Sequence, residues 1–218
     1  MNAETPDHAA SASSAAAPLR VILVDDENLI RSALATMLSL EADLEVRGEA
    51  ATVEDGVHLT RAEQPDVAVL DLQLPDGDGL ELAARIADVS PGTRSLILTS
   101  HARPGYLKRA LAQGILGFLP KTTSADQLAR AVRSVAAGRR VIDPELAAET
   151  ISSGDSPLTP READVLEFAA DGAAIEQIAR RAHLAEGTVR NYLSSAQAKL
   201  QAGNRHEAVA IARRQGWI

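Results

Sequence analysis

Cysteine is absent from the 218-residue chain, which removes disulfides and thiolate metal sites from consideration. No stretch approaches the apolar length of a membrane span, so no membrane partner is expected. Aromatic side chains amount to two phenylalanines, two tyrosines and one tryptophan, too few for base recognition by stacking. Residues 1–18 are rich in alanine and serine and have no basic start. They read as a disordered tail and not as a secretory leader, and the expectation is a soluble, cytoplasmic protein.

Charge is unevenly placed. Residues 1–155 hold 14 Lys and Arg against 23 Asp and Glu, a net −9, whereas residues 156–218 hold 8 against 7, a net +1. The acid belongs to the first part of the chain and any basic surface to the second.

From residue 19 to residue 138, apolar runs alternate with amphipathic stretches. "LRVILVD" precedes a helical pattern from Asn28 to Leu40, "LEVRGEA" one from Val53 to Ala62, "VAVLDL" one from Leu80 to Val89. "RSLILTS" then precedes a pattern from Gly105 to Gln113, and "ILGFL" one from Ala125 to Ala137. Five near-continuous apolar strands separated by helices predict a doubly wound α/β domain around a five-stranded parallel sheet. In such sheets, ligands lie beyond the carboxyl ends of the strands.

Those ends carry the chemistry. Asp25 and Asp26 close the first strand, Asp71 the third and Thr99 the fourth, while Lys121 follows the fifth. Any one of these acids alone would be an ordinary strand-end cap. Three carboxylates brought together repel, and a hard cation such as Mg²⁺ relieves the repulsion. Lys121 adds a point charge and Thr99 a hydroxyl donor for a phosphate oxygen, which leaves Asp71 as a nucleophile able to form an aspartyl phosphate. The loop after Asp71 adds Asp76 and Asp78 to the negative charge.

"LVDDE", "VLDLQLPDGDGLEL", "LILTS" and "GFLPK" together resemble the receiver domain of bacterial two-component response regulators, a flavodoxin-like fold, over residues 19–138. The resemblance implies that Asp71 accepts a phosphoryl group from a sensor histidine kinase. It also implies that Asp25, Asp26, Asp71 and the backbone carbonyl of Gln73 hold Mg²⁺, and that Thr99 and Lys121 bind the phosphate. Phe118 stands at the family's switch aromatic, often a tyrosine, which swings inward once the hydroxyl has moved. Pro120 departs from the aliphatic residue common beside the lysine.

Residues 139–157, with two prolines, a glycine and a serine pair around a short helix at Glu145 to Ile151, read as a linker. Beyond it, Thr159, Pro160 and Glu162 make a capping box that opens a first helix, and three more helical patterns follow near 175–181, 186–201 and 205–215. Val189, Leu193, Ala196 and Leu200 form one apolar stripe; Arg190, Asn191, Ser194 and Gln197 lie opposite. Arginine and asparagine suit the edges of guanine and adenine in the major groove, while Thr188 and Lys199 suit phosphates. Residues 158–218 resemble the all-α, four-helix helix-turn-helix domain of the NarL/FixJ (LuxR-type) regulators, with an ending similar to the DesR-like subgroup.

Against that family's "GLSNKEIAERLGLSEGTV", four of the chain's departures bear on how the motif folds and docks. Ala174 replaces the serine that would cap the second helix, Glu176 a basic residue, His183 the turn glycine and Ala185 the cap of the recognition helix. The expected protein is not an enzyme. It is a transcription regulator that phosphorylation drives to a homodimer on double-stranded DNA, strongly dependent on that dimerisation. Two alternatives are a phosphorylation-independent transcription factor and a Mg²⁺-dependent phosphohydrolase, the latter wanting an acid where Gln73 stands.

Overall fold

The computed structural model describes residues 17–152 and 156–218; residues 1–16 of the expected disordered tail lie outside the described residues. In chain order, β1 (Leu19–Val24), α1 (Asn28–Ser39), β2 (Leu44–Ala50), α2 (Val53–Glu63) and β3 (Val67–Leu70) come first. A small hairpin, β4 (Gln73–Leu74) and β5 (Gly77–Asp78), leads into α3 (Gly79–Val89). Then follow β6 (Arg94–Thr99), α4 (Pro104–Ala112), β7 (Gly117–Pro120), α5 (Ala125–Ala136), β8 (Val141–Ile142) and α6 (Pro144–Ser152).

The main sheet is parallel throughout, ordered β2-β1-β3-β6-β7-β8. Alternate residues of each central strand serve opposite cores, as a strand's two-residue period requires. Ile22, Val24, Ala68, Leu70, Ile97 and Phe118 meet α2, α3 and α4 on one face. Val21, Leu23, Val67, Val69, Leu96, Leu98 and Leu119 meet α1 and α5 on the other.

The segment read as a linker does more than connect. Val141 and Ile142 add β8 beside β7, and α6 packs on α4 with Leu146 buried in the core. This covers what would otherwise be the free edge of β7, a pairing template that folded proteins commonly block.

The four remaining helices, α7 (Pro160–Phe168), α8 (Ile175–Ala182), α9 (Glu186–Lys199) and α10 (Arg205–Arg214), enclose their own core. The box at Thr159 forms: its hydroxyl accepts from Glu162 N at 3.3 Å, and Glu162 Oε2 accepts from Thr159 N at 2.7 Å. The stripe of α9 is inside, with Val189, Leu193, Ala196 and Leu200 all buried. Among the described residues, no helix is long and apolar enough to cross a membrane.

Candidate functional site

Parallel register brings the ends of β1, β3, β6 and β7 to one edge of the sheet. Asp25, Asp26 and Asp71 each place a carboxylate oxygen within 4.8 Å of the others'. Lys121 Nζ reaches them from beyond β7, 2.8 Å from Asp25 Oδ2 and 2.9 Å from Asp71 Oδ2, with Glu27 Oε1 also at 2.9 Å. Pro120 leaves this approach intact, since Lys121 N still donates to Thr99 O at 2.9 Å.

The site has a cationic deficit. Burial pushes the Asp71 carboxyl up to about 6, against Lys121 and the Leu72 amide, which favour its charged form. For Lys121 burial works against the ammonium, yet Asp71, Asp25 and Glu27 outweigh it and hold its pKa above the ordinary lysine range. Three carboxylates around one lysine form a donor set suited to a hard, oxygen-seeking cation. Gln73 lies beside Asp71 at the start of β4, and its Nε2 is buried without a hydrogen-bond partner.

The acidic loop divides by role. Asp76 and Asp78 stand outside the trio and serve as helix caps: Asp76 accepts from Val53 N and Glu54 N at the start of α2, and Asp78 from Leu80 N and Glu81 N at the start of α3. Gly79 lets the loop close on the site, because a Cβ there would lie 2.0 Å from the Asp71 carbonyl oxygen.

Thr99 is fully buried at the end of β6, where its hydroxyl accepts from His101 N at 3.0 Å. The Phe118 ring is also buried, in the core beside Tyr106 and Leu107. The ring therefore occupies an inward position in this structure, and the phenolic hydroxyl of this region belongs to Tyr106 on α4.

Sequence reasoning missed the contacts that α4 and the strand-end loops make with the helical bundle. Asp164 of α7, buried, accepts from Arg103 Nη1 at 2.9 Å and from Tyr106 Oη at 2.5 Å. Arg161 Nη2 donates to Gly77 O at 3.0 Å, and His101 meets Phe168 edge to face at 5.4 Å. His183 Nε2 lies 3.2 Å from Asp26 Oδ2. Only His183 had a signal in the sequence, as an imidazole in place of a turn glycine.

On α9, Arg190, Asn191 and Ser194 are exposed, with Arg190 Nη2 2.8 Å from Glu186 Oε2 one turn earlier. Thr188 is half-buried. Lys199 is engaged elsewhere: its Nζ lies 2.7 Å from Glu162 Oε2. Burial opposes the charged form of Glu162, yet Lys199, Ser195 and Thr159 hold its carboxyl below the usual glutamate range. The phosphate contact expected of Lys199 would compete with this pair.

A phosphorylatable acid pocket joined to a helix-turn-helix is the equipment of a phosphorylation-activated, DNA-binding transcription regulator. Comparison with known proteins agrees: residues 21–133 match the response regulator receiver domain family and residues 156–212 the luxR family of bacterial regulatory proteins, and the chain belongs to the response regulators that join the two. It is 40% identical to the transcriptional regulatory protein DesR of Bacillus subtilis over 92% of this chain and 99% of that protein. It is 37% identical to the DNA-binding transcriptional activator DevR/DosR of Mycobacterium tuberculosis, over 89% of this chain and 94% of that one. Among solved structures, the response regulator ChrA of a heme-sensing two-component system aligns with 92% of this chain and 99% of its own, at 31% identity and a TM-score of 0.54.

Proposed function

We propose that Asp71 is the phosphoacceptor, charged by a sensor histidine kinase, and that the added charge is read out as homodimerisation and operator binding. The observation that supports this best is Lys121 Nζ lying between Asp25 Oδ2 and Asp71 Oδ2 at 2.8 and 2.9 Å. An ammonium already placed against the acceptor carboxylate neutralises the incoming phosphoryl oxygens without reorganisation. Asp71 Oδ attacks phosphorus, the P–N bond of the donor phosphoimidazolium breaks with its electron pair returning to that nitrogen, and neutral imidazole leaves, keeping the proton already on its other ring nitrogen.

Asp25, Asp26, Asp71 and the Gln73 carbonyl would hold Mg²⁺, which supplies positive charge to the phosphoryl oxygens. Lys121 and Thr99 orient the phosphoryl group; moving the Thr99 hydroxyl toward it releases His101 N and draws on the start of the α4 segment, beside Phe118. In the bundle, Arg190, Asn191 and Ser194 read base edges and Thr188 meets a phosphate. With a net charge of only +1 on the bundle, two copies on one operator are needed for firm binding.

The test is acetyl phosphate or beryllofluoride with Mg²⁺, followed by intact mass and oligomeric state. Stoichiometric modification of the native chain and none of Asp71→Asn is the expected result. Modification of Asp71→Asn at the native level would overturn the assignment.

A further inference from the structure

His183 caps the C-terminal end of α8 in the left-handed conformation, at φ 53°. Glycine adopts this conformation without strain, and histidine is among the few other residues that tolerate it, so the helix end accepts an imidazole without requiring one. Its Nε2 lies 3.2 Å from Asp26 Oδ2, the most exposed of the three clustered carboxylates. The contact belongs to a closure. Phe168, Arg181 and His183 of the bundle and Asp26, Asp71 and Gln73 of the α/β domain line one cavity of about 350 Å³.

We infer that His183 is an internal competitor for the cation site, so that metal occupancy and docking of the helix-turn-helix oppose each other even before phosphorylation. The inference rests on the reading of Asp25, Asp26 and Asp71 as a Mg²⁺ site. Mg²⁺ demands near-octahedral oxygen ligands and keeps several of its waters. Those waters need the space at the cavity mouth, and the cation needs the Asp26 lone pairs to which His183 Nε2 is directed. Arg181 in the same wall opposes a dication by charge. By linkage, docking weakens the cation by the same factor as the cation weakens docking.

The full-length chain offers its own reporter. Trp217, the single tryptophan, shares a cavity with Arg103 and Pro104 at the start of α4, so its quenching by acrylamide measures how closely the two domains meet. Mg²⁺ affinity is measured by calorimetry on native protein, His183→Gly and Asp164→Asn, the first removing the imidazole in a turn that glycine prefers, the second loosening the interface away from the acids. The expected result is Mg²⁺ bound about three- to five-fold more tightly by His183→Gly and more tightly also by Asp164→Asn. Trp217 of the native chain should become more quenchable as Mg²⁺ is added, and that of His183→Gly should be more quenchable from the start. Equal Mg²⁺ affinity in all three, with Trp217 indifferent to the cation, would overturn the competition while leaving the cation site standing. Failure of all three to bind Mg²⁺ would overturn the site and the competition together.

Discussion

Tyr106 Oη donates to Asp164 Oδ2 at 2.5 Å, both side chains buried, one on α4 and the other on α7. Arg103 Nη1 completes the arrangement at 2.9 Å from Asp164 Oδ1. The helix that begins a few residues beyond Thr99 thus carries the main polar hold on the DNA-binding bundle. Any movement of residues 99–103 toward a phosphoryl group acts on that hold directly, because buried hydrogen-bonded charges tolerate little displacement.

Removing the phenolic hydroxyl should therefore loosen the domains without disturbing either core. Tyr106→Phe leaves one oxygen of a buried carboxylate short of a donor, which costs about 1–3 kcal/mol. The expected outcome is faster proteolysis between residues 138 and 160 and a larger radius of gyration in solution, with the strand and helix content of the circular dichroism spectrum unchanged. A variant as compact and as protease-resistant as the native chain would show that the hydroxyl bears no part of the interface.

The charge on Asp71 is destabilising, and its pH dependence has a definite sign. The folded chain holds this carboxyl at about 6, against the ordinary 3.8, so it binds the proton more tightly than the unfolded chain. Below the ordinary value both states are protonated and no penalty exists; the penalty grows as pH rises and is complete above the folded value. Asp71→Asn should accordingly be more stable than native by about 2–3 kcal/mol above pH 7, an advantage that shrinks through pH 6 and disappears near pH 4. Urea midpoints across that range decide it, and a constant difference at every pH would contradict the assignment of the shift to this carboxyl.

How much of this could be read in the sequence follows from where the information lies. Each central strand is an apolar run that stops at a chemically distinct residue, so Asp71, Thr99 and Lys121 could be placed together by counting strand ends. β8 could not, because Val141 and Ile142 are two residues with no period of their own. The capping role of Asp76 could not be read either, because the amide that it meets at Val53 lies 23 residues away in the chain. The hold between Tyr106 and Asp164 joins residues 58 apart in the chain, each of which reads locally as an ordinary helical position.

Arg190 and Lys199, the fifth and fourteenth residues of α9, part company in three dimensions. Arg190 is exposed and, among the described residues, pairs with Glu186 one turn away, whereas Lys199 holds the buried Glu162 of the α7 capping box. Arg190→Ala should cost about 1–3 kcal/mol of binding on the cognate operator and relax base preference at one position. Lys199→Ala should instead lower the stability of the bundle by about 1–3 kcal/mol, as a buried carboxylate loses a charged partner. Operator titrations and thermal melts on both variants separate the two roles; a Lys199→Ala protein that melts as native but binds all DNA more weakly would return that lysine to the phosphates.

The helix-turn-helix is built with weak ends. Ala174 and Ala185 stand at the N-caps of α8 and α9, and neither offers a side-chain acceptor. At Ala174 only Gln177 Oε1 returns a bond, from Ala174 N at 3.1 Å. Restoring a hydroxyl at either cap should stabilise the bundle by about 1 kcal/mol, read as a higher melting temperature of Ala174→Ser and Ala185→Ser in the full chain. Glu176, exposed in the first turn of α8, suits its own helix dipole but repels a DNA phosphate brought to that end. Glu176→Lys should therefore tighten operator binding while slightly weakening α8, and should steepen the dependence of log affinity on log salt by about one. The same weakness should make the unphosphorylated chain a poor binder on its own, with the pairing of two bundles on phosphorylation supplying the affinity that one lacks. Titrating phosphorylated and unphosphorylated full-length protein against one operator at fixed salt tests this: a large gap is expected, narrowed by Glu176→Lys, and equal affinities for the two forms would refute the dependence.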